Sequence, residues 1–140
     1  MIEYKLIEKN NFKEIEKLRK DVFSYNMKED SFYYRELIDG KMVAIGVFLD
    51  DNLIAGAYIS DSLNSLYIEQ LFVNNNYQKS GIGTNLIKYI HEHKNIFEEY
   101  FKTKFDFSKL EPNSKEIVDY YKKLGYIETN DFQESMNKKL

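Results

Sequence analysis

A polar segment with two glycines, residues 78–84 (Gln-Lys-Ser-Gly-Ile-Gly-Thr), has the composition of an anion-binding turn. Residues 66–73 before it are rich in aromatic and branched side chains, which predicts a strand. Apolar residues after it recur with a helical period, which predicts a helix from Ile82. The start of a helix has unpaired N–H groups and partial positive charge, so it stabilises an anion. The segment therefore indicates a phosphate site, while the glycines alone are equally typical of a tight turn.

The spacing of the glycines excludes two other phosphate motifs. A P-loop, G-x-x-x-x-G-K-(S/T), is absent, and a dinucleotide fingerprint would need glycine where Leu86 stands. The segment resembles instead the (Q/R)-x-x-G-x-(G/A) acetyl-CoA motif of the GNAT N-acetyltransferases. Residues 113–126, NSKEIVDYYKKLGY, are similar to that family's later N-x-x-(A/I)-x-x-(F/Y)-Y-x-x-x-G-(F/Y) segment. Two motifs in the family's order are much more specific than either one, and the resemblance extends over essentially the whole chain.

Composition and length limit the function further. The 140 residues predict one domain, residues 1–140, with enough buried surface for a core. The net charge of −3 argues against a broad nucleic-acid surface, so no nucleic-acid partner is expected. The absence of cysteine excludes disulfides, a thiolate zinc site and a cysteine acyl-enzyme. We expect a cytoplasmic location and no membrane partner, since MIEYKLIEKN has no apolar signal core and no long apolar run follows.

The periodicities predict an α/β fold. Strands are predicted at 2–7, 42–49, 53–60, 66–73 and 104–107, with a final hairpin of 126–129 and 132–136. Helices are predicted to follow Asn11, Ser31, Gly81 and Asn113. The resemblance implies a single-domain GNAT-like fold: a mixed, mostly antiparallel sheet with a splayed central strand and flanking helices.

The resemblance also implies that acetyl-CoA is the acetyl donor. The pyrophosphate would be held by Gln78, Lys79, Ser80, Gly81, Ile82, Gly83 and Thr84. The pantetheine amides would bond to the backbone of Leu71, Phe72 and Val73, and Asn113 would contact the cofactor. An N–H group near Phe72 would receive the thioester carbonyl oxygen as charge develops. A helix N-cap explains Asn113 equally well.

Two residues are candidates for proton transfer. Glu69 interrupts an otherwise apolar strand, where a carboxylate beside buried groups can have a raised pKa, so it is the candidate base. An exposed or salt-bridged strand residue is the alternative, and a β-bulge would change the face that Glu69 occupies. Tyr121 matches the family's general-acid tyrosine, but it also fits an apolar helix face with Ile117. Tyr120 is not expected to take part, so Tyr120→Phe is expected to be close to neutral.

Aromatic and histidine side chains raise two further questions. Phe32 and Tyr33 fall where the resembled family places a helix over the acceptor, although covering the sheet is the favoured interpretation for either ring. His91 and His93 are two positions apart on a helix and point in nearly opposite directions, so they cannot chelate one metal ion together. A solvated helix end suits them better, and no metal is expected.

The sequence therefore predicts an N-acetyltransferase that moves an acetyl group from acetyl-CoA to a primary amine by direct attack in a ternary complex. The acceptor is a small-molecule or peptide amine that the sequence does not identify. Two alternatives stay open: an acyl-CoA-binding regulatory module without turnover, and an RNA-modifying toxin of the same fold, which the net charge of −3 argues against. The oligomeric state is open, with a homodimer as one arrangement.

Overall fold

The computed structural model describes residues 1–23, 32–112, 114–129 and 135–140. Within these residues the strands are β1 (Ile2–Leu6), β2 (Val43–Leu49), β3 (Asn52–Ser62), β4 (Ser65–Val73), β5 (Phe107–Leu110), β6 (Ile127–Glu128) and β7 (Met136–Lys139). The α-helices are α1 (Phe12–Phe23), α2 (Phe32–Ile38), α3 (Ile82–Glu92), α4 (Lys94–Phe101) and α5 (Lys115–Lys123). One mixed sheet has the order β1-β2-β3-β4-β5-β7-β6, and only β4 and β5 pair in parallel.

Both faces of the central strands are buried, which explains their nearly continuous apolar sequences. In β2, Val43 and Ile45 belong to one core cluster while Ala44 between them belongs to the other, as the alternation of side chains requires. The first cluster includes the apolar stripe of α3, and the second includes Ile15 of α1 and Leu37 of α2. The sheet is thus a middle layer between α1 and α2 on one face and α3 and α5 on the other.

The central strand is splayed, as the resemblance implied. On one side β4 pairs with β3 along its whole length, from Ser65 opposite Ser62 to Val73 opposite Ala55. On the other side it pairs with β5 only from Ser65 to Ile68. Among the described residues, no strand pairs with residues 69–73 on that side, so the backbone there faces an opening between β4 and β5.

The elements differ from the sequence predictions in three respects: two strands are shifted and one helix is additional. The strand predicted at 104–107 is wrong: β5 spans Phe107–Leu110, and Phe105 lies fully buried in the preceding loop, where its N–H donates to the Glu98 carboxylate. The helix α4 is an additional element. In the final hairpin β6 pairs antiparallel with β7, but β7 runs Met136–Lys139, beyond the predicted end, and residues 132–134 lie outside the described residues. In the described part of the chain, none of the helices is long and apolar enough to cross a membrane.

Candidate active site

The start of α3 has the open backbone of an anion site. Gly81 is the N-cap residue with φ +83°, and no side chain caps the helix. The first bond within the helix runs from the N–H of Asn85 to the carbonyl of Gly81, so the N–H groups of Ile82, Gly83 and Thr84 have no acceptor within the helix. Lys79, exposed in the preceding turn, also has positive φ, +64°. Alternating left-handed residues before a helix form a concave arrangement of N–H groups that favours anions.

The two glycines of this phosphate turn, residues 78–84, are present for different reasons. Gly81 needs its left-handed backbone, which side chains disfavour. Gly83 does not: its φ is ordinary, and an added Cβ would meet only Val73 and Leu71, at 3.7 and 3.9 Å, which is normal contact. Since glycine inside a helix costs roughly 0.5–1 kcal/mol relative to alanine, folding alone does not account for Gly83. Its missing side chain leaves a gap between α3 and the end of β4.

Other side chains of the turn stabilise the turn itself. The Gln78 side-chain amide donates to the Val73 carbonyl and to the Asn75 side chain, at 3.0 Å each. The Ser80 hydroxyl donates to the Tyr77 carbonyl. The loop is therefore fixed to the end of β4, and its backbone, Lys79 and the hydroxyl of Thr84 remain the groups that can meet a ligand.

A β-bulge lies at Glu69. In the register of β3 and β4, Ile59 is opposite Ile68 and Tyr58 is opposite Gln70, so Glu69 has no partner on β3. The extra residue reverses the alternation of side chains: Ile68 packs in the core beside α3, and Phe72 packs in the core beside α1. The bulge thus turns β4 at the point where it separates from β5.

Glu69 is partly buried and its carboxylate accepts a hydrogen bond of 2.8 Å from the Ser60 hydroxyl. Burial raises the pKa of Glu69 above its ordinary value, and the negative charges of Glu111 and Glu36 raise it further. The bond from Ser60 acts in the opposite direction and lowers this pKa. A carboxyl group with a raised pKa is suited to accept a proton near neutral pH.

Glu69 and Tyr121 both line one cleft in the opening between β4 and β5. Its cavity of about 30 Å³, room for roughly one water molecule, is lined by Phe23, Ile68, Glu69, Gln70, Leu71, Leu110, Glu111 and Tyr121. The side-chain oxygen of Gln70 is buried and has no hydrogen-bond donor among the described residues. A larger open depression of about 370 Å³ lies at the end of α4 and contains none of these residues.

The adjacent tyrosines of α5 have different surroundings. Tyr121 is 8% exposed and packs edge-on against Tyr120 and Tyr126, with ring centroids 5.2 and 5.9 Å away. Burial, with a smaller effect of Tyr120, raises the pKa of Tyr121 to about 12, so its hydroxyl stays protonated at neutral pH. The Tyr120 hydroxyl bonds to the hydroxyl of Thr84 in the phosphate turn. Tyr120 therefore has a specific partner in the phosphate turn, which the sequence did not predict.

The two aromatic residues predicted near the acceptor are in different positions. Tyr33 packs on Tyr58, 5.4 Å between centroids, and lies 4.6 Å from the guanidinium carbon of Arg19. Phe32, at the start of α2, is 45% exposed. Tyr33 thus covers the sheet, as the favoured interpretation held, while Phe32 presents its ring to solvent.

A buried ionic network below Tyr33 was not predicted from the sequence. Glu16 and Arg19, 4% and 3% exposed, form a bidentate pair at 2.9 and 3.2 Å, and the Tyr58 hydroxyl donates to Glu16 at 2.7 Å. The spacing of three on a helix permits such a pair but does not predict its burial. The network fixes α1 against β3, beside the cleft.

The remaining predicted positions are Asn113 and the two histidines near the end of α3. Asn113 lies outside the described residues, and the N-cap of α5 is Ser114. His91 is not at a solvated helix end: its Nε2 is 2.7 Å from the Tyr126 hydroxyl, and burial, with Lys138, lowers the pKa of His91 to about 4. Among the described residues no group of side chains is arranged to hold a metal ion.

Comparisons with known proteins identify the family. A family model described as an acetyltransferase (GNAT) domain matches residues 28–128, well over half of the chain. The chain therefore belongs to the GNAT acetyltransferase family, and its α/β fold is the GNAT fold. No curated protein sequence matches it significantly.

Solved structures agree on the fold. The PaiA N-acetyltransferase of Thermoplasma acidophilum, in complex with coenzyme A, is 16% identical, with a TM-score of 0.71 over 100% of this chain and 99% of that one. A GNAT-family acetyltransferase of Staphylococcus aureus is 13% identical, with a TM-score of 0.72 over 100% and 99%. Arabidopsis thaliana Naa50, in complex with the bisubstrate analogue CoA-Ac-MVNAL, is 17% identical, with a TM-score of 0.67 over 97% and 95%.

Proposed function

We propose that the 140 residues act as one catalytic domain that transfers the acetyl group of acetyl-CoA to a primary amine, by direct attack in a ternary complex. The observation that supports this most strongly is Gly83, whose missing side chain is not required for folding. It leaves a gap between the uncapped start of α3 and the open end of β4. A diphosphate at the helix start would continue into a pantetheine chain along that strand end.

In this proposal the backbone N–H groups of Ile82, Gly83 and Thr84 bind the diphosphate, and Lys79 contributes its charge. Gln78 and Ser80 act by holding the turn in place, since their side chains donate to acceptors in the chain directly before it. The backbone of Leu71 and Phe72 bonds the pantetheine amides, while the carbonyl of Val73 already accepts from Gln78. The N–H of Phe72 receives the thioester oxygen, and Asn113 contacts the cofactor.

The chemical step uses the two residues that line the cleft. The neutral amine nitrogen attacks the thioester carbon, so a C–N bond forms and the C–S bond breaks. Glu69 accepts the proton of the amine, directly or through one water in the 30 Å³ cavity. Tyr121 donates a proton to the departing thiolate of CoA. The raised pKa of Glu69 supports its role as base, because it favours the protonated form that the step produces. Tyr121 is protonated at neutral pH, but its raised pKa makes it a weaker acid than free tyrosine, so its position near the sulfur must promote the donation.

The charges around the cleft favour a cationic amine as acceptor. The carboxylates of Glu111 and Glu36 are close enough to raise the pKa of Glu69, so an ammonium group is attracted to this acidic region before it loses its proton. The unpartnered oxygen of Gln70 can accept from an N–H of the acceptor. Phe32 supplies an exposed ring at the edge of α2, with Tyr33 behind it. A peptide amine and a small-molecule amine both satisfy this chemistry.

An amine screen tests this function directly. Purified protein is mixed with acetyl-CoA and a panel of polyamines, amino sugars and short peptides, and free thiol release is followed. We expect release that requires both protein and a primary amine. Tight binding of acetyl-CoA without thiol release from any amine would favour the regulatory module without turnover. Release with an RNA substrate alone would favour the toxin alternative, which the net charge of −3 opposes.

A further inference from the structure

The hydroxyl groups of Tyr120 and Thr84 form a hydrogen bond between two elements that are 36 residues apart in sequence. Thr84 is the third residue of α3, and its N–H is one of the unpaired donors of the phosphate turn. Tyr120 lies on α5, directly before Tyr121. Both side chains are partly buried, so water competes less with their bond than it would at the surface.

The direction of this bond follows from what each group can offer. A phosphate oxygen is an acceptor only, so the Thr84 hydroxyl can contact it only by donating its proton. That proton is then not available for Tyr120. A hydroxyl still has lone pairs to accept with, so Tyr120 must donate to the Thr84 oxygen when an anion is bound. One chain of donation, from Tyr120 to Thr84 to phosphate, satisfies all three groups.

We infer that Tyr120 is a positioning residue of the cofactor site, which directs the Thr84 hydroxyl proton towards the diphosphate of the acyl-CoA. This inference rests on the proposed function and adds a residue to it. Tyr120 does not itself touch the cofactor. It acts through Thr84, and successive hydrogen bonds in such a chain strengthen one another.

The bond also links the two regions of the site. The Tyr120 and Tyr121 rings are in contact, with centroids 5.2 Å apart, and Tyr121 lines the catalytic cleft. A plain strut between α5 and α3 would need no hydroxyl groups, since apolar side chains pack α5 on the core elsewhere, as Ile117 does. The hydroxyl pair is therefore better explained by the binding of an anion beside it.

Two acetyl donors distinguish a role of Tyr120 in binding the diphosphate from a role in packing α5 on α3. S-acetylpantetheine lacks the diphosphate and acetyl-CoA contains it. We expect Tyr120→Phe to raise the KM for acetyl-CoA roughly 3- to 10-fold, the loss expected for one hydrogen bond, with kcat and the KM for S-acetylpantetheine unchanged. Thr84→Val should have the same effect, the double variant should be no worse than either, and Thr84→Ser should keep the wild-type KM.

Calorimetry with CoA and pantetheine makes the same comparison without turnover. Equal losses of affinity for both ligands, or a lower melting temperature alone, would show that the two hydroxyl groups serve packing only and would overturn the inference. An unchanged affinity for CoA would also overturn it. If wild-type protein binds CoA without transferring acetyl, transfer is refuted, while the variants still decide the role of Tyr120. If wild-type protein does not bind CoA, both the function and this inference are wrong.

Discussion

The phosphate turn and the cleft at Glu69 lie beside the same strand end but are built in different ways. The turn is local: seven consecutive residues supply its N–H groups and its left-handed backbone, and its side chains bond to Val73, Asn75 and Tyr77 directly before it. The cleft is assembled from α1, β4, β5, the chain after β5, and α5. Its geometry depends on one bulge and on packing across the sheet. In the proposed function, backbone groups therefore dominate cofactor binding, and side-chain position dominates the chemical step.

The difference predicts that cleft variants change the rate, and that turn variants change the affinity for the cofactor. The largest effect is expected at Tyr121. Tyr121→Phe keeps the ring that packs against Tyr120 and Tyr126, so stability should change little. The value of kcat should fall by roughly 10²–10⁴ if the hydroxyl donates the proton, with the affinity for acetyl-CoA nearly unchanged.

Tyr100→Phe is the control for that experiment. Tyr100 is exposed, its hydroxyl donates to the Gly40 carbonyl, and neither residue lines the cleft. Tyr120→Phe cannot serve, given its bond to Thr84. Steady-state rates and melting temperatures of the variants are the measurements. Full kcat in Tyr121→Phe would mean that this tyrosine serves packing alone.

A loss of roughly 10² or more in kcat/KM is expected for Glu69→Gln, since the amide cannot accept the proton. Wild-type kcat/KM should rise with pH through the raised pKa of Glu69, and the variant should lack this limb.

The contribution of Glu69 to the free energy of unfolding changes with pH in the opposite direction. A raised folded-state pKa means that the folded protein holds this proton more tightly than the unfolded chain, so Glu69 lowers stability as pH rises through that pKa. The variant should therefore melt no lower than wild type at neutral pH.

Ser60→Ala should give the smallest change in the cleft. It removes the hydrogen bond that lowers the pKa of Glu69, so that pKa should rise further. The ascending limb of the pH profile should then move to higher pH, while the plateau rate stays near wild type. Ser62→Ala is the control on the same strand. A profile that does not move would show that Glu69 does not govern the limb.

The same contrast explains how much could be read from the sequence. The turn, the strand before it and the helix after it were predicted correctly as structural elements, because glycine spacing and periodicity are local signals, while the binding of a phosphate there stays a prediction. The bulge at Glu69 was raised only as a possibility, since the register with Tyr58 is set by pairing across the sheet. The bond between Tyr120 and Thr84 joins distant residues and has no local signal.

Errors at the ends of elements have the same origin. Phe105 and Phe107 alternate like strand residues, which placed β5 too early. In the fold Phe105 is a fully buried loop residue, and pairing of residues 107–110 with β4 and β7 determines the strand. The burial of Glu16 with Arg19 likewise depends on Tyr58 from a distant strand.

The most direct test of the account is the affinity for acetyl-CoA of Gly83→Glu, measured by calorimetry beside the melting temperature, with Gly83→Ala as the control variant. The added Cβ meets only ordinary contacts in the protein, so folding should be unharmed or strengthened by up to roughly 1 kcal/mol. The affinity of Gly83→Ala should stay near wild type, because the motif that the segment resembles accepts alanine at this position, whereas Gly83→Glu places bulk and negative charge beside the diphosphate and should abolish binding. Unchanged affinity in a folded Gly83→Glu variant would contradict the assignment of the phosphate turn as the cofactor site.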